Sequence, residues 1–191
     1  MAVFWLYQKH TVGNDSTISE WLINYQGGFT RRGIIGEICF QLASFFDLKL
    51  RFVIFVFQSS LYLIYSILIF IFIKDVAKNT LIIIAIFSPI FLLYPIAEIE
   101  VLARKEVFLY IGFILFLNLS NIKYSNNIPL IYIFFIFPII CLIWEPFIFF
   151  LPFAAFVILI KNNEDSLKKI ILKILISLSS TIITIIIIIL N

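Results

Sequence analysis

Long apolar runs separated by short polar segments make up most of the chain. The clearest run, Phe52–Ile73, holds no charged residue and is bounded by Arg51 and Lys74. A helix of about 20 apolar residues crosses the roughly 30 Å hydrocarbon core of a bilayer. The pattern therefore predicts transmembrane helices after an extramembrane or interfacial segment at residues 1–51. The predicted spans lie within a transmembrane domain, residues 52–191, near 52–73, 81–97, 103–119, 128–144, 146–160 and 170–190.

The run Val107–Leu119 is too short to cross a bilayer by itself. Its helix is therefore expected to begin within the charged segment Ala103–Glu106, or else to lie where the bilayer is thinned. The opening run, Met1–Tyr7, is also too short to span, and it lacks the cleavage region of a signal peptide.

The run Ile128–Ile160 can cross the membrane once or twice. One helix of this length would measure about 50 Å, which exceeds the hydrocarbon core. Pro146 disfavours helical backbone at Glu145, and a carboxylate seeks water. Length and proline therefore favour two half-length helices meeting at Trp144-Glu145-Pro146. The positive-inside rule favours a single crossing, since a hairpin divides the lysines and arginines equally between the two sides. The hairpin is the preferred interpretation.

Composition excludes most other classes of protein. The 191 residues are 63% hydrophobic and 13% charged, whereas soluble domains are about 45–50% apolar and about 25% charged. Cys39 and Cys141 show neither metal-ligand spacing nor a disulfide framework. A net charge of +3 is too small to indicate a nucleic-acid partner. The sequence thus predicts an all-α, polytopic transmembrane helix bundle of about five to six spans.

Two short helices are expected before the first long span. Thr17 and Glu20 have the spacing of a capping box, and Gly27-Gly28 is expected to end the helix that they open. A second helix follows from Ile34 and is predicted to lie in the membrane interface, because it is amphipathic. Its apolar side carries Ile34, Ile38, Leu42 and Phe45, and its polar side carries Glu37, Gln41 and Ser44.

Arg31-Arg32 stands between Gly28 and Gly33 and has two interpretations. A guanidinium group binds phosphate bidentately, and Gly27, Gly28 and Gly33 would let a headgroup approach the backbone. Alternatively, the two arginines anchor an interfacial helix to lipid phosphates. Arg104 and Lys105 form a second basic pair, which is either part of the same phosphate site or a solvated loop with a local Glu100–Arg104 pair.

Three carboxylates are candidates for acid–base chemistry. Glu20 can instead cap a helix, and Asp15 can instead be a turn residue after Asn14. Glu145 is different, because a carboxylate within a long apolar run is costly, so a functional role is favoured over a role in the hairpin turn alone. His10, the single histidine, lies in a polar tail and is expected to be inert.

The hairpin topology brings these candidates to one membrane surface. Counting crossings places residues 8–51, residues 98–106 and Glu145 on the same side. Carboxylates and guanidinium groups that face one compartment suit an anionic lipid headgroup with a neighbouring hydroxyl to be activated.

The run Trp21–Gly33 (WLINYQGGFTRRG), with Arg104-Lys105-Glu106 and Trp144-Glu145-Pro146-Phe147, resembles an uncharacterised multispanning protein family. Its members occur in bacterial surface-polysaccharide gene clusters and share a GGFxRRG-type motif, an R-K-E and a later H-E before aromatic residues. This chain has Trp144 where that histidine is expected. It also lacks a full first span and ends just after its last apolar run, so both ends are interpreted as trimmed.

More distantly, the layout is similar to GT-C-type glycosyltransferases and polysaccharide polymerases. This resemblance implies transfer of a polyprenyl-phosphate-linked sugar at the bacterial inner membrane. Asp15 or Glu20 would be the base, Arg31, Arg32 and Arg104 would hold phosphate, and Glu145 would orient the acceptor or a metal. No metal or other cofactor follows from the residues themselves. A non-catalytic subunit, a lipid-linked glycan transporter component and an inactive fragment of a longer protein are the alternatives.

Overall fold

A computed structural model describes residues 2–12, 16–28, 30, 32–76, 84, 102–121, 127–163 and 165–190. These residues are largely helical and contain no β-strand, which confirms the predicted all-helical class. The α-helices are α1 (Ala2–Thr11), α2 (Ser16–Ser19), α3 (Gly33–Phe45), α4 (Leu50–Val76), α5 (Glu106–Asn121), α6 (Ile128–Ile143), α7 (Leu151–Lys161) and α8 (Leu167–Leu190). Two 3₁₀ segments, Glu20–Leu22 and Glu145–Phe150, follow α2 and α6.

Two of the described helices, α4 and α8, are long and apolar enough to cross a membrane. Their apolar parts, Leu50–Lys74 and Leu167–Leu190, have mean hydropathies of 2.1 and 2.5. α5 and α6 have 16 residues each, or about 24 Å, which is short of a 30 Å core. A bundle of five to six spans is therefore not confirmed, and the predicted span 81–97 lies outside the described residues except for residue 84. α5 begins at Glu106, within the segment where the sequence predicts its start.

The chain turns back at the predicted break in the run 128–160. α6 ends at Ile143, Trp144 is extended, and the 3₁₀ segment Glu145–Phe150 leads into α7. The ring centroids of Phe137 and Phe147 lie 4.6 Å apart, although ten residues of straight helix span about 15 Å. One unbroken rod is thus excluded.

Pro138 interrupts the hydrogen bonding of α6, and a neighbouring helix repairs the gap. A proline has no N–H, so the carbonyl of Phe134, four residues earlier, loses its partner within the helix. The Ser180 hydroxyl of α8 donates to that carbonyl oxygen at 2.6 Å. Membrane helices that contain proline commonly depend on such a side chain, because lipid offers no hydrogen bond.

α3 packs closely against the chain that precedes it. A Cβ added at Gly36 would lie 1.8 Å from the carbonyl oxygen of Ile23, so only glycine fits there. Ile35, Cys39 and Ala43 complete the buried side of the helix. The predicted apolar stripe does not face the protein, since Ile38, Leu42 and Phe45 are exposed. This arrangement leaves an exposed apolar surface on α3.

The chain forms two compact units, Met1–Ile111 and Gly112–Asn191. The first unit contains α1 to α4 and the Arg-Lys-Glu turn, and the second contains α6 to α8. The predicted division between residues 51 and 52 separates interfacial from membrane-spanning segments and stays a prediction.

Candidate functional site

The turn before α5 is built around Ala103, a non-glycine residue with a φ of 79°. Its N–H donates to the Tyr62 hydroxyl at 3.2 Å. Its carbonyl accepts hydrogen bonds from Trp21 Nε1 at 2.5 Å and from Gln58 Nε2 at 3.0 Å. All four residues are buried. Side chains from two other segments therefore hold a backbone conformation that costs about 1–3 kcal/mol.

Lys105 joins this turn to the start of α3. Its side chain is fully buried, and its ammonium donates to the carbonyl oxygen of Arg32 at 2.6 Å. Arg32 precedes α3 and is also left-handed, with a φ of 64°. The two basic motifs, which lie 73 residues apart, are thus in direct contact.

At two of the three candidate positions, the local structure requires glycine whether or not a ligand binds. Gly28 has a φ of 113°, and a Cβ at Gly33 would lie 2.5 Å from the Tyr25 ring. Nothing lies within 4 Å of a Cβ added at Gly27. The prediction that Gly27-Gly28 ends the first helix is wrong, because the 3₁₀ turn already ends at Leu22. Ile23 is extended there, which brings the chain back towards Gly36.

Glu37 fixes the loop that leads to the arginines. Its carboxylate accepts hydrogen bonds from the Tyr25 N–H at 3.1 Å, the Gln26 amide at 3.0 Å and the Gln41 amide at 2.7 Å. These bonds, that from Gln41 foremost, lower the pKa of Glu37. The predicted polar side of α3 therefore binds its own loop.

Charge in the site is arranged around Lys105. Burial lowers the pKa of Lys105 to about 8; the Glu20 carboxylate opposes this shift, and the Arg32 cation adds to it. Arg104 is partly exposed and pairs with Glu106 at 3.4 Å. Burial also raises the pKa of Glu106. The sequence pairs Arg104 with Glu100 instead, a residue outside the described part of the chain.

Glu20 is within electrostatic reach of Lys105 and Glu106. Its Oε2 atom is buried and has no hydrogen-bond partner among the described residues. The predicted capping box is wrong, because α2 already includes Thr17, which cannot then be the residue before the helix. A buried carboxylate oxygen with a vacant lone pair can accept a proton or a hydroxyl hydrogen bond.

His10 lies in helix α1 rather than in a polar tail. Its Nε2 is 2.8 Å from Gln58 Oε1, and its ring contacts Phe55 edge to face. The sequence held one indication of this contact, since Gln58 is an amide within an uncharged span. Such a buried amide needs partners.

Asp15, Arg31 and Glu145 are the remaining candidates. Asp15 and Arg31 lie outside the described residues. Glu145 belongs to the second unit, where it opens a 3₁₀ segment and its Oε1 is buried. Its convergence with the arginines stays a prediction. Among the described residues no group of three His, Cys, Asp or Glu side chains could hold a metal ion.

Comparison with protein-family models, with curated proteins and with solved structures finds no match for this chain. The family resemblance therefore stays a prediction. The site is defined by its geometry: Arg32 and Arg104 beside a buried Lys105, with the carboxylates of Glu20 and Glu106 within electrostatic reach. This arrangement can bind an anion and accept a proton.

Proposed function

We propose that this protein is a multi-pass protein of the bacterial inner membrane that transfers sugars from polyprenyl-phosphate carriers, as a glycosyltransferase or polymerase. The observation that carries the proposal is the Lys105–Arg32 hydrogen bond. It joins the two basic motifs on which the resemblance to the surface-polysaccharide family rests. Arg32 and Arg104, with Arg31 beside them in sequence, bind the carrier phosphate.

The level of the site along α4 supports a lipid ligand. The 27 residues of α4 measure about 40 Å, roughly 10 Å more than the hydrocarbon core. Gln58, which bonds to Ala103, lies about 12 Å from the start of the helix. The Arg-Lys-Glu turn therefore packs against the first half of α4, which is the half nearer to the membrane surface where we propose that the carrier phosphate binds.

The exposed side of α3 supports contact with the same leaflet. Ile38, Leu42 and Phe45 face outwards, and Phe45 is 82% exposed. Burying an apolar helix face in the headgroup–acyl boundary stabilises an interfacial helix. α3 then lies flat in the interface, with Arg32 immediately before its first turn.

The side chains of the site have different proposed roles, in positioning and in proton transfer. Lys105 is buried against a carbonyl, so it sets the position of the arginines and contributes charge without direct contact. Glu20 accepts the proton of the attacking hydroxyl, because its Oε2 has no hydrogen-bond partner among the described residues. Asp15 and Glu145 are further candidates for the acid–base role.

The test uses purified protein in nanodiscs with polyprenyl phosphate or its sugar-linked form. Arg32→Ala is expected to weaken polyprenyl phosphate binding by about tenfold, the loss of one charge-assisted contact. Glu20→Gln is expected to keep binding and abolish sugar transfer. Arg51→Ala is the matched control, since Arg51 is an arginine bonded to the Val12 carbonyl outside the cluster.

The outcomes separate the alternatives. Binding that depends on Arg32, without sugar transfer by the wild-type protein, identifies a non-catalytic subunit or transporter component. Equal binding by wild type, Arg32→Ala and Arg51→Ala contradicts a phosphate site at this cluster.

A further inference from the structure

We infer that His10 and Gln58 are positioning residues for the basic site, acting through the backbone of Ala103. Gln58 Nε2 donates to the Ala103 carbonyl at 3.0 Å, and Gln58 Oε1 lies 2.8 Å from His10 Nε2. The inference relies on the proposed function for the ligand of the site, but its geometry is independent of any ligand.

The chain of contacts from His10 through Gln58 to Ala103, here called the relay, has a defined donor and acceptor at each hydrogen bond. Because the Gln58 amide nitrogen donates to Ala103, its amide oxygen faces His10 and can only accept. His10 Nε2 therefore carries a proton and donates it to this bond. An imidazole protonated at Nε2 keeps this donor in its neutral and its charged form. The bond thus persists at pH values on both sides of the usual histidine pKa.

The relay leads to the two arginines. Ala103 is left-handed, and its turn carries Arg104 and then Lys105, whose ammonium reaches the carbonyl of Arg32. The order of contacts is His10, Gln58, Ala103, Lys105 and Arg32. Without the Gln58 bond, the Ala103 turn keeps only Trp21 and Tyr62 as described side-chain partners. The turn then relaxes, and Lys105 becomes accessible.

Accessibility of Lys105 tests the relay without a ligand. The rate of amine acylation at Lys105 is measured by mass spectrometry and normalised to the exposed Lys168 in each protein. Gln58→Leu and His10→Phe are expected to raise the Lys105 rate by about tenfold, the population shift produced by one lost buried hydrogen bond. His10→Phe keeps a ring against Phe55. The rise is expected to be the same at pH 5.5 and pH 8.

Two matched variants decide between positioning and general destabilisation. His10→Gln retains an N–H donor near Nε2 and is expected to restore the wild-type rate. Gln8→Leu makes the same change as Gln58→Leu at an exposed site on α1 and is expected to leave the rate unchanged.

Equal rates in His10→Phe and His10→Gln contradict the relay, even if Gln58→Leu fails to fold. Binding of polyprenyl phosphate by the same variants gives a separate result. A wild type that binds none while Lys105 still responds to His10 contradicts only the proposed function.

Discussion

The carbonyl oxygen of Phe134 shows how a single side chain stabilises this fold. Pro138 leaves that oxygen without its helical partner, and Ser180 supplies the hydrogen bond from another helix. The sequence shows the proline and therefore the gap. It does not show which of its many hydroxyls fills it, because residues 46 positions apart meet only through helix packing.

Replacing Ser180 by alanine is expected to destabilise the protein by about 1–2 kcal/mol, because an acceptor in an apolar surrounding loses its donor. In a Pro138→Ala background the cost is expected to fall towards zero, since residue 138 regains an N–H for the Phe134 carbonyl. The measurement is thermal unfolding in detergent across this double-mutant cycle. Ser179→Ala is the control, because the hydroxyl of Ser179 donates to the Ile176 carbonyl within its own helix. Additive effects contradict the repair of the proline gap.

Lys105 gives the stability a pH dependence. In the unfolded chain it keeps its proton up to about its ordinary pKa of 10.5, whereas in the fold its pKa is about 8. Between these values the unfolded chain binds more protons, so this residue makes stability rise with pH, by at most about 1.4 kcal/mol per pH unit. Below pH 8 both states are protonated and its contribution is constant.

The measurement compares unfolding of wild type and Lys105→Met from pH 7 to pH 10. Wild type is expected to gain stability relative to Lys105→Met only above about pH 8. The exposed control Lys168→Met is expected to follow the wild-type curve. A constant difference over the whole range contradicts the lowered pKa.

Helices were predictable where a long apolar run meets a charge. The run Phe52–Ile73 gave α4, and the charged segment before residue 107 gave the start of α5. The helix from Ile34 begins one residue earlier, at Gly33. The prediction that Gly27-Gly28 ends the helix before them was wrong. The helical segment ends at Leu22, where the chain turns back to pack against Gly36. That turn arises from close packing between segments, which local sequence does not reveal.

The packing of α3 makes a sharp prediction for two glycines. Gly36→Ala is expected to destabilise the protein by about 1–3 kcal/mol, because its Cβ would overlap the Ile23 carbonyl and backbone must move. Gly27→Ala is expected to change stability by less than about 0.5 kcal/mol, since open space surrounds that position. Detergent unfolding of the two variants checks both. Similar losses in the two would mean that α3 does not pack on Ile23 as described.

At the level of the whole chain, the sequence supplied the components of the candidate site but not their assembly. It identified Arg32, Arg104, Lys105 and Glu20 as chemically unusual, because charges are rare in so apolar a chain. It could not show that Lys105 contacts Arg32, since that contact depends on how α3 and the Ala103 turn pack. The prediction that His10 lies in a polar tail was wrong for the same reason. The partner of His10, Gln58, lies 48 residues away.

The topology of the whole molecule depends on whether the run 128–160 crosses the membrane once or twice. The side of the membrane on which Ser166 lies distinguishes the two cases. The chain turns back at Trp144, so 128–143 and 145–161 can each cross as one half of a hairpin. With two crossings, Ser166 and Gln26 lie on opposite sides of the membrane. With one crossing, they lie on the same side. Single cysteines at these positions, with Cys39 and Cys141 replaced by alanine, are labelled with a membrane-impermeant maleimide in sealed vesicles.

The hairpin predicts that Gln26→Cys reacts from one side and Ser166→Cys only from the other, together with the control Lys74→Cys. Glu145→Cys is then expected to react from the side of Gln26, which would bring the third carboxylate to the compartment of the basic site. Reaction of Ser166→Cys from the side of Gln26 contradicts the hairpin. The single crossing that the positive-inside rule favours would then be the correct topology. The 3₁₀ segment and α7 would lie within one leaflet without crossing. Glu145 follows α6 directly, so it would still lie on the side of Gln26 and would stay a candidate acid beside Glu20 and Asp15.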